Sequence, residues 1–161
     1  MIQGKAIVFG DNIDTDQIIG AHHLSLPSIA DMAPFTFEHH THFVTGFAAG
    51  DILVGGMNFG CGSSREQAVA VLKERGVAAI VAKSFARIFF RNAINIGLPV
   101  IVCPLIREMD NFTHLEIAGK SLRDLGSGRK FFIEPLPPFV QSLVDDGGII
   151  AHLQRKRKST R

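Results

Sequence analysis

Apolar and polar positions change their period along the chain, and the changes mark out its elements. Residues 5–9 (Lys-Ala-Ile-Val-Phe) read as a buried strand that stops at Gly10. A polar loop, Asp11-Asn12-Ile13-Asp14-Thr15-Asp16, follows. Residues 21–50 hold no sustained period and are interrupted by Pro27 and Pro34, with one short helix expected over residues 35–43. Residues 51–54 form a second buried strand, closed by Gly55-Gly56. The pattern then becomes regular. Residues 65–75 place Ala68, Val69, Val71 and Leu72 at helical spacing and end at Gly76. A strand over 77–82, a helix over 84–96 closed by Gly97, and a strand over 98–102 stopped by Pro104 complete the run. Strands and helices alternating in this way imply parallel pairing with right-handed crossovers.

The later part changes character. Residues 112–118 and 130–134 read as short strands joined by the turn Gly126-Ser127-Gly128, and residues 137–146 as a last helix ended by Gly147-Gly148. The expectation is an α/β fold with an added, mostly antiparallel part, forming one unit over residues 1–154. There is no internal repeat.

Composition removes several classes. At 161 residues, 46% apolar and 20% charged, the chain is neither disordered nor fibrous. The apolar run at 77–82 is far shorter than the ~20 residues of a membrane helix. The start, Met1-Ile2-Gln3-Gly4-Lys5, lacks the pattern of a secretory signal, so a cytoplasmic location is expected. Two cysteines, Cys61 and Cys103, are too few for a disulfide framework or a thiolate metal cage. The net charge is +2, yet Arg155, Lys156, Arg157, Lys158 and Arg161 contribute five positive charges near the end. The body is therefore acidic, and residues 155–161 are expected to be a basic, disordered tail. No aromatic residue interleaves with these bases, so single-stranded nucleic acid finds no stacking platform.

Chemistry concentrates at Gly55-Gly56-Met57-Asn58-Phe59-Gly60-Cys61-Gly62-Ser63-Ser64-Arg65-Glu66, between a strand and a helix start. Unpaired amides and the helix dipole favour an anion there, glycines allow close approach, and a guanidinium suits a carboxylate. A capping box from Ser63 to Glu66 explains the same residues without a ligand, but explains neither Ser64-Arg65 nor the glycines. A dinucleotide fingerprint fails at Arg65, and a phosphate-binding Walker loop fails for want of lysine. The Asp11–Asp16 loop fails as a calcium loop, since Gln17 and His23 stand where glycine and glutamate are required. Arg87 and Arg91, four apart on one helix, read as a solvated or interface face. Between Lys5 and Arg65 there is no Lys or Arg, against six acids and five histidines. His22, His23, His39, His40 and His42 match no standard zinc spacing and read as a polar, pH-sensitive surface, with no metal expected.

Three strings together resemble a known family. Gly-Asp-Asn-Ile-Asp-Thr-Asp-Gln-Ile-Ile (10–19), Asn-Phe-Gly-Cys-Gly-Ser-Ser-Arg-Glu (58–66) and Ala-Lys-Ser-Phe-Ala-Arg-Ile-Phe-Phe-Arg-Asn-Ala-Ile-Asn-Ile-Gly-Leu-Pro (82–99) resemble the small subunits of 3-isopropylmalate dehydratase. The same strings are similar to the homoaconitase small subunit and to the swivel domain of aconitase. The resemblance covers the chain to about residue 152. It implies a swivelling β/β/α domain and a hydro-lyase that moves a hydroxyl between neighbouring carbons of a hydroxy-diacid. It also implies a [4Fe–4S] cluster on a partner large subunit, none on this chain, no activity of this chain alone, and a heterotetramer. Ser63 matches the catalytic serine, Ser64 and Arg65 match residues holding a substrate carboxylate, and Thr15 and Asp16 match a pair lining the same cavity.

The chain departs from that pattern in three places. Gly20-Ala21-His22-His23-Leu24 stands for the family's Pro-Ala-Arg-Tyr-Leu, Gln67 for its histidine, and Phe90 for a frequent tyrosine. By the resemblance, His22, His23, Leu24 and Leu26 fall in the loop expected to read the substrate's distal group. No arginine stands in residues 17–50, and an unpaired third carboxylate there is costly, so the isopropyl group of isopropylmalate fits Leu24, Leu26 and Ile29 better. The rivals are a homoaconitase or alkylmalate (dimethylmalate-type) dehydratase small subunit, and, from another class, a non-catalytic anion- or RNA-binding module.

Overall fold

The computed structural model describes residues 1–106 and 109–159. The strands are β1 (Ile2–Val8), β2 (Ile52–Gly55), β3 (Ala79–Ala82), β4 (Val100–Val102), β5 (His114–Ala118), β6 (Ser121–Asp124) and β7 (Lys130–Phe132). They form one sheet in the order β4-β3-β2-β1-β5-β6-β7. Strands β1 to β4 run parallel, and β5, β6 and β7 are joined antiparallel to β1 and to one another. The α/β expectation with an antiparallel addition is borne out.

Strand β1 belongs to both halves. Its first residues pair antiparallel with β5, with Ile2 opposite Ile117 and Lys5 opposite His114. Its last residues pair parallel with β2, with Ala6 opposite Ile52 and Val8 opposite Val54. The apolar run starting at residue 5 marks only the second half, so the strand begins earlier than the pattern predicts. A bridge between Val102 and Glu134 joins the chain after β7 to β4, and the sheet curls toward closure.

Both faces of the parallel half are buried, which is why its strands are continuous apolar runs. The helices are α1 (Thr15–Ile18), α2 (Ile29–Met32), α3 (Thr41–Gly46), α4 (Glu66–Glu74), α5 (Arg87–Ile96), α6 (Pro138–Asp145) and α7 (Ile149–Ser159). On one face Ile7, Leu53 and Ile80 meet Ala68, Val71 and Leu72 of α4, Phe89 and Ala93 of α5, and Leu143 of α6. On the other, Ala6, Ile52, Val54 and Val81 meet Leu115, Leu122 and Phe131 from the antiparallel strands. Side chains on two faces thus fix which way the sheet can curl.

Four expectations need correction. The helix expected over 35–43 lies instead at Thr41–Gly46. Phe37 takes a left-handed φ of 51° and is fully buried, so no helix runs through it. The turn Gly126-Ser127-Gly128 follows the unforeseen β6, which pairs with both β5 and β7. Helix α4 starts at Glu66 and α5 at Arg87, each later than the apolar spacing implies. The basic tail is not irregular through residue 159, because α7 runs across the expected boundary at 154. Asp146 holds it there, accepting from His152 Nδ1 at 2.7 Å and from Arg155. Those two bonds, that from His152 first, keep the Asp146 carboxyl below the usual carboxylate range. Thr160 and Arg161, the end of that tail, lie outside the described residues.

Candidate active site

Two loops leave the carboxyl ends of neighbouring parallel strands, where open α/β sheets place their ligands. Residues 9–14 follow β1, and residues 56–65 follow β2. They are zipped together by backbone bonds: Gly56 N–H to the Gly10 carbonyl at 3.0 Å, Asn12 N–H to Met57 at 2.8 Å, Gly60 N–H to Ile13 at 2.7 Å, and Thr15 N–H to Cys61 at 2.9 Å. Asp11 adds a side-chain bond from the Met57 N–H at 2.7 Å. A third loop joins through Ser84, whose hydroxyl accepts from the Asn58 N–H at 2.8 Å.

The zipper rests on packed aromatic rings, one pair stacked and one edge-on. Phe9 lies 4.4 Å from Phe37, and Phe59 lies 5.6 Å from Phe89. Such pairs contribute about 0.5–1.5 kcal/mol beyond their buried area. Gly60 (φ 81°) sits against this floor, and a Cβ there would stand 2.1 Å from Phe89 Cγ. Only glycine lets the second loop lie this deep.

Four of the expected site residues converge. Thr15 is buried at the start of α1, and its Oγ1 lies 3.1 Å from the Ser63 hydroxyl and donates to the Ser63 carbonyl at 3.1 Å. Arg65 reaches back to the Asp16 carboxylate and donates to the Ile19 carbonyl at 3.3 Å. Asp16 is largely exposed, so the ion pair adds little stability. Its effect is to fix the guanidinium through one terminal nitrogen, which meets both the Asp16 carboxylate and the Ile19 carbonyl. The capping box does not form: Arg65 occupies the cap position, with no side-chain cap bond, and the Ser63 hydroxyl turns to Thr15. Ser63 and Ser64 are exposed just ahead of the amino end of α4.

The distal-loop residues behave differently from one another. Leu24 and Leu26 are half-buried and pack on the core together with Ile29. His22 is exposed, while His23 stacks on Phe35 at 3.9 Å and bonds Glu38 Oε1 at 2.8 Å. Glu38 is a residue that the sequence pattern did not single out; an acid inside a histidine-rich stretch was the available signal. His40 lies deeper, and burial, then His42 and His39, push it below the usual histidine range.

A cleft of about 330 Å³ opens beside the zipper, lined by Phe9, Asp11, Gly56 and Lys83 among others. A cavity of about 340 Å³, lined by Met1, Pro99, Leu136 and Val144 among others, lies at the opposite end of the parallel strands and holds no hydroxyl or basic side chain. The hydroxyl and guanidinium groups of the expected site gather instead at the carboxyl ends of the strands. Cys103 is buried, donating its thiol to the Phe132 carbonyl at 3.3 Å, and Cys61 is half-buried. Two thiols fall short of the four that an all-cysteine iron–sulfur cluster takes.

A curled mixed sheet with a serine, a threonine and a pinned arginine at its carboxyl end defines an aconitase-type small domain. Comparison with known proteins agrees. Residues 44–104 match the aconitase C-terminal domain. The chain is 42% identical to the methanogen homoaconitase small subunit of Methanothermobacter thermautotrophicus, over 94% of this chain and 90% of that one. It is 43% identical to the 3-isopropylmalate dehydratase small subunit of Thermodesulfovibrio yellowstonii, over 96% and 95%. Among solved structures, 3-isopropylmalate dehydratase from Methanocaldococcus jannaschii superposes with a TM-score of 0.92 at 34% identity, covering 99% of this chain and 96% of that one. The chain belongs to the family of 3-isopropylmalate dehydratase and homoaconitase small subunits.

Proposed function

We propose that this chain is the small subunit of a heteromeric hydro-lyase that interconverts 2- and 3-isopropylmalate by dehydration and rehydration. The observation that carries the reading is the meeting of Thr15 and Asp16 with Ser63 and Arg65 at the end of the parallel strands. Ser63 takes the proton next to a carboxylate. A free serine is too weak a base, but the amino end of α4 and the Arg65 guanidinium favour its anion. Thr15 Oγ1 holds the Ser63 side chain in place. Ser64 and the open edge of Arg65 take the substrate carboxylate, and Asp16 orients that arginine.

The departing hydroxide needs a Lewis acid, which a [4Fe–4S] cluster on the large subunit would supply. This chain has too few thiols to hold it, and its exposed serines leave the site open on one side. Both facts support an enzyme assembled from two kinds of chain and inactive as this chain alone. Among the described residues, no helix is long and apolar enough to cross a membrane.

Relatives of both substrate types are equally similar, so identity alone does not select between them. The charge pattern favours isopropylmalate. No Lys or Arg stands between Lys5 and Arg65 to meet a third carboxylate. The test is anaerobic. The chain is mixed with a cluster-loaded large subunit from the same source, 3-isopropylmalate is added, and ultraviolet absorbance of the unsaturated intermediate is followed. A rise that needs both chains is the expected result. No rise, with a stable complex and an intact cluster, overturns it in favour of a tricarboxylate or a smaller alkylmalate.

A further inference from the structure

We propose that His22, His23 and Glu38 form a site for a divalent cation of the zinc class. Three ligand atoms, one from each side chain, lie within 4.8 Å of one another. His23 Nε2 stands 2.8 Å and His22 Nε2 3.5 Å from the same oxygen, Glu38 Oε1. Zinc–nitrogen and zinc–oxygen bonds of about 2.0–2.2 Å put neighbouring ligands of a tetrahedron roughly 3.3 Å apart. The two separations bracket that edge. His39 Nε2, 3.7 Å from the same oxygen, is a further donor at the rim.

A hydrogen-bond network alone does not account for the arrangement. One carboxylate oxygen satisfies His23. The 3.5 Å and 3.7 Å approaches of His22 and His39 are too long or marginal as hydrogen bonds, yet both place Nε2 near the same carboxylate oxygen. The His22 and His23 rings stand 3.9 Å apart although adjacent side chains ordinarily diverge. Gly20 makes room for this, since a Cβ there would stand 2.7 Å from His22 Cε1 and 2.9 Å from its Nδ1. Imidazole nitrogen with carboxylate oxygen is a donor set that suits zinc. His23 is fixed by stacking on Phe35, while His22 and His39 face solvent, so an ion enters from outside and keeps an open position for water.

The ion would fasten the 3₁₀ turn Ala21–His23 to the stretch at Glu38, in a segment where no regular element of more than a few residues does so. This inference does not depend on the proposed reaction. The test uses the full chain, stripped of metal and then titrated with Co²⁺ and with Zn²⁺. Tetrahedral Co²⁺ with these ligands absorbs visibly, and Zn²⁺ displaces it. We expect one equivalent to bind, with the dissociation constant rising at least about tenfold in His22→Ala and in Glu38→Gln. His114→Ala, at an exposed position of β5, is the control and keeps binding. His22 is exposed and Glu38→Gln keeps its shape, so circular dichroism should report an unchanged fold in both. Absence of stoichiometric binding, or uptake unchanged in these two variants, overturns the proposal and leaves a hydrogen-bonded turn.

Discussion

The Ser63 hydroxyl stands 3.1 Å from Thr15 Oγ1, across 48 residues of sequence. Thr15 is buried and Ser63 is exposed, so the pair joins the core to the surface at which we propose substrate arrives. Thr15→Val keeps the volume and removes the hydroxyl. We expect kcat of the assembled enzyme to fall about ten- to a hundredfold, because the serine loses its orienting partner. Stability should change by only about 1 kcal/mol. Wild-type kcat in this variant would show that Ser63 needs no such partner.

Arg65 is placed by Asp16 and the Ile19 carbonyl. Lysine keeps the charge but not the fork that grips a carboxylate. Arg65→Lys should raise KM for the diacid roughly tenfold or more. Asp16→Asn should raise KM less, since the guanidinium keeps the Ile19 bond. Equal KM values across wild type and both variants would remove Arg65 from the substrate's binding set.

Gly60→Ala tests the floor of the site. The φ of 81° disfavours any Cβ, and Phe89 occupies the space it would need. A loss of roughly 3 kcal/mol is expected from combined strain and overpacking. The urea midpoint measures it, and an unshifted midpoint would mean the loop is free to rise.

Asp124 gives the fold a pH dependence. Burial opposes its charge, but bonds from the Ser127 and Thr113 hydroxyls and the Ser127 and Gly126 amides outweigh burial and hold its carboxyl at about 2. The folded value lies below the ordinary carboxylate value of about 3.9. The charged form therefore stabilises the fold fully above about pH 4, and the contribution is lost as pH falls toward about 2. The shift corresponds to about 2.5 kcal/mol. Asp124→Asn should be less stable than wild type by about that much at pH 7, with the gap narrowing below pH 4. A gap constant with pH would contradict the assignment to this carboxylate.

The parallel core was legible because its strands are buried on both faces and so read as unbroken apolar runs. Helices α4 and α5 were legible from the spacing of Ala68, Val69 and Leu72 and from the glycines beyond their ends. What failed depends on partners distant in sequence. Ser63 looks like a helix cap until Thr15 takes its hydroxyl. Residues 2–4 look like nothing until β5 pairs with them. The basic tail looks disordered until Asp146 gathers His152 and Arg155. Strand β6 is too short, and too evenly mixed, to announce itself. The site residues were named from motif resemblance, since no spacing rule brings position 15 to position 63. The convergence of His22 and His23 on Glu38 was invisible, because two adjacent histidines carry no information about which acid they will face.

The most direct measurement replaces Ser63 by alanine and follows isopropylmalate turnover anaerobically in the complex with the cluster-loaded large subunit. We expect the complex to form as in wild type and turnover to fall by at least about a hundredfold, the scale of losing a proton-transfer group. Turnover at the wild-type rate in the assembled variant would contradict the assignment of Ser63 as the base, and with it the central claim about this site.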